Sequence, residues 1–547
     1  MKEFLLCEAP QELRPYLENY FDFEKKTGRY LVTDREGEGE VYAPEVAWFM
    51  ARSRADGRVL AQGLKTLYEA RAVKFDRALE ERFIQPVGDR LVILGDAQRC
   101  RTLAEAFKDE FDITVAPKEA LEGLQGRLGD FSLALGDRSA GADQVVLTDK
   151  DETLEKYLGV LCAADFETPG ALKEKLLSRK GEYGYYKSVS YDATLCQTHG
   201  RISGACGLCA QLCPTLGVVR DDTTHTLVFS DIDCMGCGGC IAACPSGAVD
   251  FARMPLNAFE ELAPLYENSV VLMIPEEMLA KTAVPLPAGV VPLLIEGPKF
   301  PSEAHFMALL QESGSQVVFH SEIVSKGTRD AINLMNGIWQ KLYGKDAVLL
   351  SQNDTELKSA LDLAQPVAGS RHSLREDHEF KRDQFAARLK AAVGGDSYGV
   401  VPGGEWVRYG TVEVNESGCT LCMSCVTACN TTALFVDEAN GALMGNFSKC
   451  TQCGECVNLC PEKVMTLQST GIDLTPAWFE AKKLAQDEPF CCVECGKPFA
   501  GNKSVMKIVN MLEPLFMADP IKARTLRCCP DCKPKVMLKA MMEKDLA

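Results

Sequence analysis

Cys234-Met-Gly-Cys237-Gly-Gly-Cys240-Ile-Ala-Ala-Cys244-Pro245 is the stretch that decides how the chain is read. Three cysteines two residues apart can turn their sulfurs onto one centre, and a fourth follows after three residues with proline behind it. This is the run whose thiolates hold iron–sulfur cubes, the fourth cysteine serving the neighbouring cube. It recurs three times. Cys450-Thr-Gln-Cys453-Gly-Glu-Cys456-Val-Asn-Leu-Cys460-Pro461 repeats it in full, and Cys419-Thr-Leu-Cys422-Met-Ser-Cys425-Val-Thr-Ala-Cys429 departs only in having Asn430 at the proline position. The last run starts late: Cys196, nine residues, then Cys206-Gly-Leu-Cys209-Ala-Gln-Leu-Cys213-Pro214. Its first ligand is Cys196, with His199 of the intervening loop as an alternative and a three-iron centre as another. Zinc knuckles or redox dithiols compete for such cysteines. Fourfold repetition, the terminal three-residue spacing and three prolines favour cubes.

The intervening segments complete two modules about 215 residues apart. Leu216-Gly-Val-Val and Leu227-Val-Phe fit a hairpin between Cys213 and Cys234, as Ala433-Leu-Phe-Val and Gly441-Ala-Leu-Met do between Cys429 and Cys450. This layout resembles the bacterial two-cluster ferredoxin. The resemblance implies a pseudo-twofold pair of cubes per module with crossed ligation, hence four [4Fe-4S] clusters. Cys196, Cys206, Cys209 and Cys244 would hold one, and Cys213, Cys234, Cys237 and Cys240 the next. Cys419, Cys422, Cys425 and Cys460 would hold the third, and Cys429, Cys450, Cys453 and Cys456 the fourth.

Six further cysteines lie near the C-terminus, in Cys491-Cys492-Val-Glu-Cys495-Gly496-Lys-Pro and Cys528-Cys529-Pro530-Asp-Cys532. Two C-x2-C pairs across a spacer of 33 residues are the four-thiolate pattern of structural zinc. Cys492, Cys495, Cys529 and Cys532 are the candidate ligands for one Zn2+. The first pair resembles a zinc-ribbon knuckle, whose glycine permits the tight turn behind the metal. Six thiolates leave a fifth iron–sulfur cluster as the competing occupant. Cys7, Cys100 and Cys162 stand apart and read as small buried residues.

The remaining sequence places these sites in an α+β and α/β multidomain chain. Residues 1–90 read as mainly helical and 91–185 as a small α/β unit. Ferredoxin module 1 follows at 186–255, then a cysteine-free α/β domain at 256–350 with strands at 270–274, 290–295, 317–319 and 347–350 alternating with helices at 302–313 and 328–343. Residues 351–405 read as a polar linker with one helix near 375–393, 406–470 as module 2, and 471–547 as a zinc-ribbon-like unit around a helix at 503–517.

Among 547 residues, 25 are cysteine and the net charge is −18. That charge argues against nucleic acid and anionic membrane as partners, since both reward basic patches. No signal peptide or spanning helix is expected, so the sequence reads as cytoplasmic and not inserted in a membrane. P-loop, GxGxxG, G-x-S-x-G and H-E-x-x-H motifs are absent, which leaves no candidate catalytic residue. His320, at the end of a strand, reads as structural.

A broader resemblance rests on Tyr191-Asp-Ala-Thr-Leu-Cys196-Gln-Thr-His-Gly, the α/β domain and Cys495-Gly-Lys-Pro-Phe. These look like large soluble iron–sulfur proteins associated with bacterial formate dehydrogenases. The 268–350 segment resembles a degenerate hydrogenase delta-subunit domain, with docking or self-association as its remaining role. The resemblance implies an electron-transfer subunit for a catalytic oxidoreductase such as a formate dehydrogenase or a heterodisulfide-reductase-like complex, in anaerobic metabolism. The alternative is an assembly or sensing accessory of a molybdenum or tungsten oxidoreductase.

Overall fold

Val270–Pro275 and Val290–Ile295 are apolar throughout, and both are buried along their whole length. Such runs belong to parallel strands covered on two faces. The computed structural model describes residues 3–26, 29–204, 206–374 and 380–545. In it these strands are the first two of a four-stranded parallel sheet with Val317–His320 and Val348–Ser351 on the other side of the first. Helices Glu303–Ser313 and Lys326–Tyr343 connect them, each closed by a left-handed glycine, Gly314 at φ 69° and Gly344 at φ 68°. Trp339 is buried in this domain.

The chain divides into two compact units: Met1–Cys196 with Gly207–Arg375, and Gln197–Cys206 with Glu376–Ala547. The first unit opens with helices Pro44–Arg52 and Gly57–Arg77, as the apolar spacing predicts, and also with four two-residue parallel strands between Phe4 and Tyr42 that are too short to leave a period in the sequence. Arg52 Nε donates to the Thr282 carbonyl at 2.8 Å, and buried Lys74 meets Glu296 at 2.8 Å, fastening both helices to the α/β domain. Residues 90–177 form a second parallel sheet, Val160–Cys162, Gln144–Leu147, Arg90–Leu94 and Asp112–Ala116, beside an antiparallel meander. Cys100 and Cys162 are buried. His320 is buried too, between Thr282 Oγ1 at 3.1 Å and Ser351 Oγ at 3.0 Å.

Both cysteine modules share one layout. In the first, outer strands Val189–Tyr191 and Val249–Phe251 pair antiparallel, hairpin Val218–Asp221/Thr226–Phe229 lies between them in sequence, and helices Leu208–Leu212 and Gly239–Ala243 pack together. In the second unit, Thr411–Val414 pairs with Met465–Gln468 around hairpin Leu434–Asp437/Ala442–Gly445 and helices Ser424–Ala428 and Glu455–Asn458.

The stretch read as linker holds helices Asp354–Leu363 and Lys381–Val393. The first buries Leu357, Ala360 and Leu361 against strand Val348–Ser351 and so extends the α/β domain, a face that polar composition concealed. Residues 375–379, the expected start of the second helix, lie outside the described residues. In the C-terminal segment Lys482–Gln486 adds a strand to the second module's hairpin. Hairpin Pro489–Cys491/Pro498–Gly501 and helices Asn502–Leu512, Pro520–Thr525 and Lys533–Asp545 follow. Among the described residues, no helix is long and apolar enough to cross a membrane.

Candidate metal centres

Each regular cysteine run folds by the same two backbone turns. The residues two and four positions after the first cysteine are left-handed: Gly236 and Gly238, Leu421 and Met423, Gln452 and Gly454. Three of these six are not glycine, although φ near +55° is disfavoured for side chains such as leucine. The conformation aims successive amides at one point, a concavity that suits an anionic centre. Amides of Gly236, Leu421 and Gln452 accordingly donate to the sulfurs of Cys234, Cys419 and Cys450.

The sulfurs converge across halves. Cys213, Cys234, Cys237 and Cys240 line one cavity of about 390 Å3 of atom-free space, walled by Val218 and Phe229. Cys419, Cys422, Cys425 and Cys460 line another of about 340 Å3. Cys429, Cys450, Cys453 and Cys456 line a third of about 410 Å3. Around the Tyr191 hydroxyl lie Cys196, Cys209 and Cys244, and burial together with these sulfurs pushes the hydroxyl's pKa up. Cys206 is half-buried at the end of the loop from Gln197.

Burial first, and crowding after it, raises several of these thiols. Burial, then the sulfurs of Cys234, Cys237 and Cys213, drive Cys240 well above the usual thiol range. Burial and Cys419 and Cys422 push Cys425 up to about 12, and burial with Cys450 and Cys429 pushes Cys453 to about 11. Packed thiols resist ionising together, whereas a cationic iron core supplies the charge that makes four thiolates favourable. The donor sets therefore fit iron–sulfur cubes.

Further contacts were hidden in the sequence. Thr215, Ser246 and Thr431 stand two positions after Cys213, Cys244 and Cys429 and place hydroxyls 3.6, 3.8 and 3.7 Å from those sulfurs. After Cys460 the equivalent residue is Glu462, which accepts from Thr420 Oγ1 at 3.1 Å. The repeat of Thr or Ser at that offset was the available signal. In the second unit Asn430 Oδ1 accepts from Gln197 Nε2 at 2.6 Å, and Gln197 Oε1 accepts from Thr451 Oγ1 at 3.2 Å. The missing proline and the long loop, two separate departures from the regular run, thus meet. The same loop carries His199, and its Ser203 amide donates to Glu455 at 3.1 Å.

In the first unit the α/β domain buttresses a cysteine turn. Lys299 N donates to the Cys237 carbonyl at 2.9 Å, and a Cβ on Gly297 would stand 2.6 Å from Gly236 O and 2.9 Å from Cys237 O. Gly297→Ala is therefore expected to displace the Cys234–Cys240 turn and cost about four irons, one cube's content. Anaerobic iron analysis checks this; unchanged iron in the variant would refute the buttress.

Near the C-terminus the sulfurs of Cys492, Cys495, Cys529 and Cys532 lie within 4.8 Å of one another. Gly496 at φ 69° closes the turn behind the first pair, its amide on the Cys492 carbonyl at 2.9 Å. The second pair precedes helix Lys533–Asp545, so it sits in a helical turn and not in a second hairpin. Burial would push Cys492 up, but amides of Cys529, Cys495 and Glu494 outweigh it and bring the thiol down, while hydrogen bonds that it donates to Cys495 and Cys529 hold Cys532 up. Four sulfurs gathered this closely are a donor set that suits a tetrahedral cation. The group is compatible with a zinc-ribbon-like unit. Cys491 is exposed, and Cys528 is buried with its sulfur 3.5 Å from the Arg524 carbonyl.

The 4Fe-4S dicluster domain family matches the chain twice, at residues 204–248 and 418–464. Two dicluster domains imply four 4Fe–4S clusters and point to electron transfer. Cys196 lies before the first matched segment, and the C-terminal cysteines lie after the second. No curated protein matches the chain.

Proposed function

We propose that the chain relays single electrons through four [4Fe-4S] clusters to or from a catalytic oxidoreductase subunit in the cytoplasm, with one Zn2+ in its C-terminal unit. The observation that carries this reading is the set of three cavities, each walled by three cysteines of one run and a fourth from its neighbour. The ligand sets are those given above, with Cys196 and Cys206 joining Cys209 and Cys244, and with Cys492, Cys495, Cys529 and Cys532 on zinc. A bound cube supplies a one-electron couple. The chain fixes its place, donates amides to its sulfurs and screens it from water with Val218, Phe229, Leu434 and Phe447.

A formate dehydrogenase or heterodisulfide-reductase-like complex is the partner that the wider resemblance suggests. The net charge of −18 favours a basic docking face on that partner. Anaerobic elemental analysis tests the reading: about sixteen irons and one zinc per chain are expected from four cubes and a four-cysteine site. About eight irons in carefully anoxic protein, two cubes' worth, would sink the four-cluster relay.

A further inference from the structure

Helix Lys381–Val393 buries a charge with two donors that find no partner among the described residues. Arg382 is 1% exposed. Its guanidinium lies 3.6 Å from the centroid of the Tyr409 ring, and Nη2 donates to the Arg408 carbonyl at 3.0 Å. Nε and Nη1 are buried with no hydrogen-bond partner among the described residues. The adjacent carboxylate, Asp383, is 3.4 Å from Lys449 Nζ.

The helix packs on the turn Phe447–Lys449, which leads directly into Cys450. Burial pushes the Cys450 thiol up, and among the smaller influences the positive charge of Arg382 opposes that rise. A buried cation with idle donors is costly unless an anion completes it. The four-thiolate wall of the Cys429–Cys456 cavity, into which the turn under this helix leads, becomes anionic once it is loaded. One acidic side chain, Glu455, lines the same cavity, and its carboxylate accepts from the Ser203 amide and hydroxyl.

We propose that Arg382 raises the reduction potential of the cluster held by Cys429, Cys450, Cys453 and Cys456. Adding an electron makes that cluster more negative, so a fixed positive charge beside it favours the reduced state, and net local charge is one of the levers on such potentials. The proposal rests on the relay reading and assigns Arg382 a positioning role, with no contact to any electron donor or acceptor.

The test is a potentiometric titration followed by EPR on the full chain, isolated anaerobically, comparing wild type, Arg382→Gln and Arg382→Lys. In Arg382→Gln one cluster is expected to titrate at a more negative potential, with iron content and the other clusters unchanged. Arg382→Lys should stay close to wild type. Four unmoved clusters in an iron-replete Arg382→Gln chain would overturn the proposal while leaving the relay standing. If Arg382→Gln cannot hold iron, Arg382→Lys decides: retained iron and potentials support the role of charge, and iron lost there too overturns it. A wild-type chain without a reducible cluster in this cavity would overturn both readings.

Discussion

A chain carrying Cys460→Ala is expected to lose about four irons, one cube's worth, and to lose them from the site upstream. Cys460 ends the run that begins at Cys450, so a reading by proximity in sequence would empty the Cys450–Cys456 site. In the structure it faces the cavity of Cys419, Cys422 and Cys425. Alkylation of the anaerobic variant followed by peptide mass analysis separates the outcomes. Crossed ligation expects Cys419, Cys422 and Cys425 to label and Cys450, Cys453 and Cys456 to stay protected. The reverse pattern would show that each run serves its own cube. Cys429→Ala provides the mirror experiment, emptying the site downstream.

The second large effect belongs to the C-terminal unit. Cys529→Ala should release the zinc and unfold the segment from about Pro489 to Lys533. Cys492, Cys529 and Cys532 of the four-sulfur group form its small buried cluster together with Cys528, and Phe499 and Val536 pack against it. A structural zinc site contributes on the order of 10–16 kcal/mol of apparent binding energy, more than so small a core can replace. Loss of zinc with rapid proteolysis in this segment, and about sixteen irons kept elsewhere, is the expected result. Cys491→Ala should change neither, because that residue is exposed and outside the four-sulfur group. Iron in place of zinc in the purified unit would instead favour the fifth cluster.

Much of the site was legible because its information is local. Two-residue spacings bind three sulfurs to one centre whatever the rest of the chain does, and three prolines mark the exits. Local spacing does not carry the Gln197–Asn430 contact, whose partners are 233 residues apart. Nor does it carry left-handed Leu421, Met423 and Gln452, since those residue types argue against the conformation they adopt. The alternating strands and helices of the α/β domain were legible from continuous apolar runs. The helix Asp354–Leu363 was not, because three buried side chains among charged neighbours leave a weak period. Arg382 was invisible for a related reason: in sequence it is one cation in a charged helix, and only packing removes it from water.

The convergence of Cys460 with Cys419, Cys422 and Cys425 sets a schedule for synthesis. The fourth wall of that cavity is translated about forty residues after the first. At about 5–20 residues per second the ribosome leaves the first three thiols waiting for roughly 2–8 seconds. Within that interval they form an incomplete, oxygen-sensitive metal trap. A somewhat longer gap separates Cys196 from Cys244. Each nascent module is thus most vulnerable to oxidation or mismetallation halfway through its own translation, and stalling between its two halves would damage the chain more than stalling in the α/β domain.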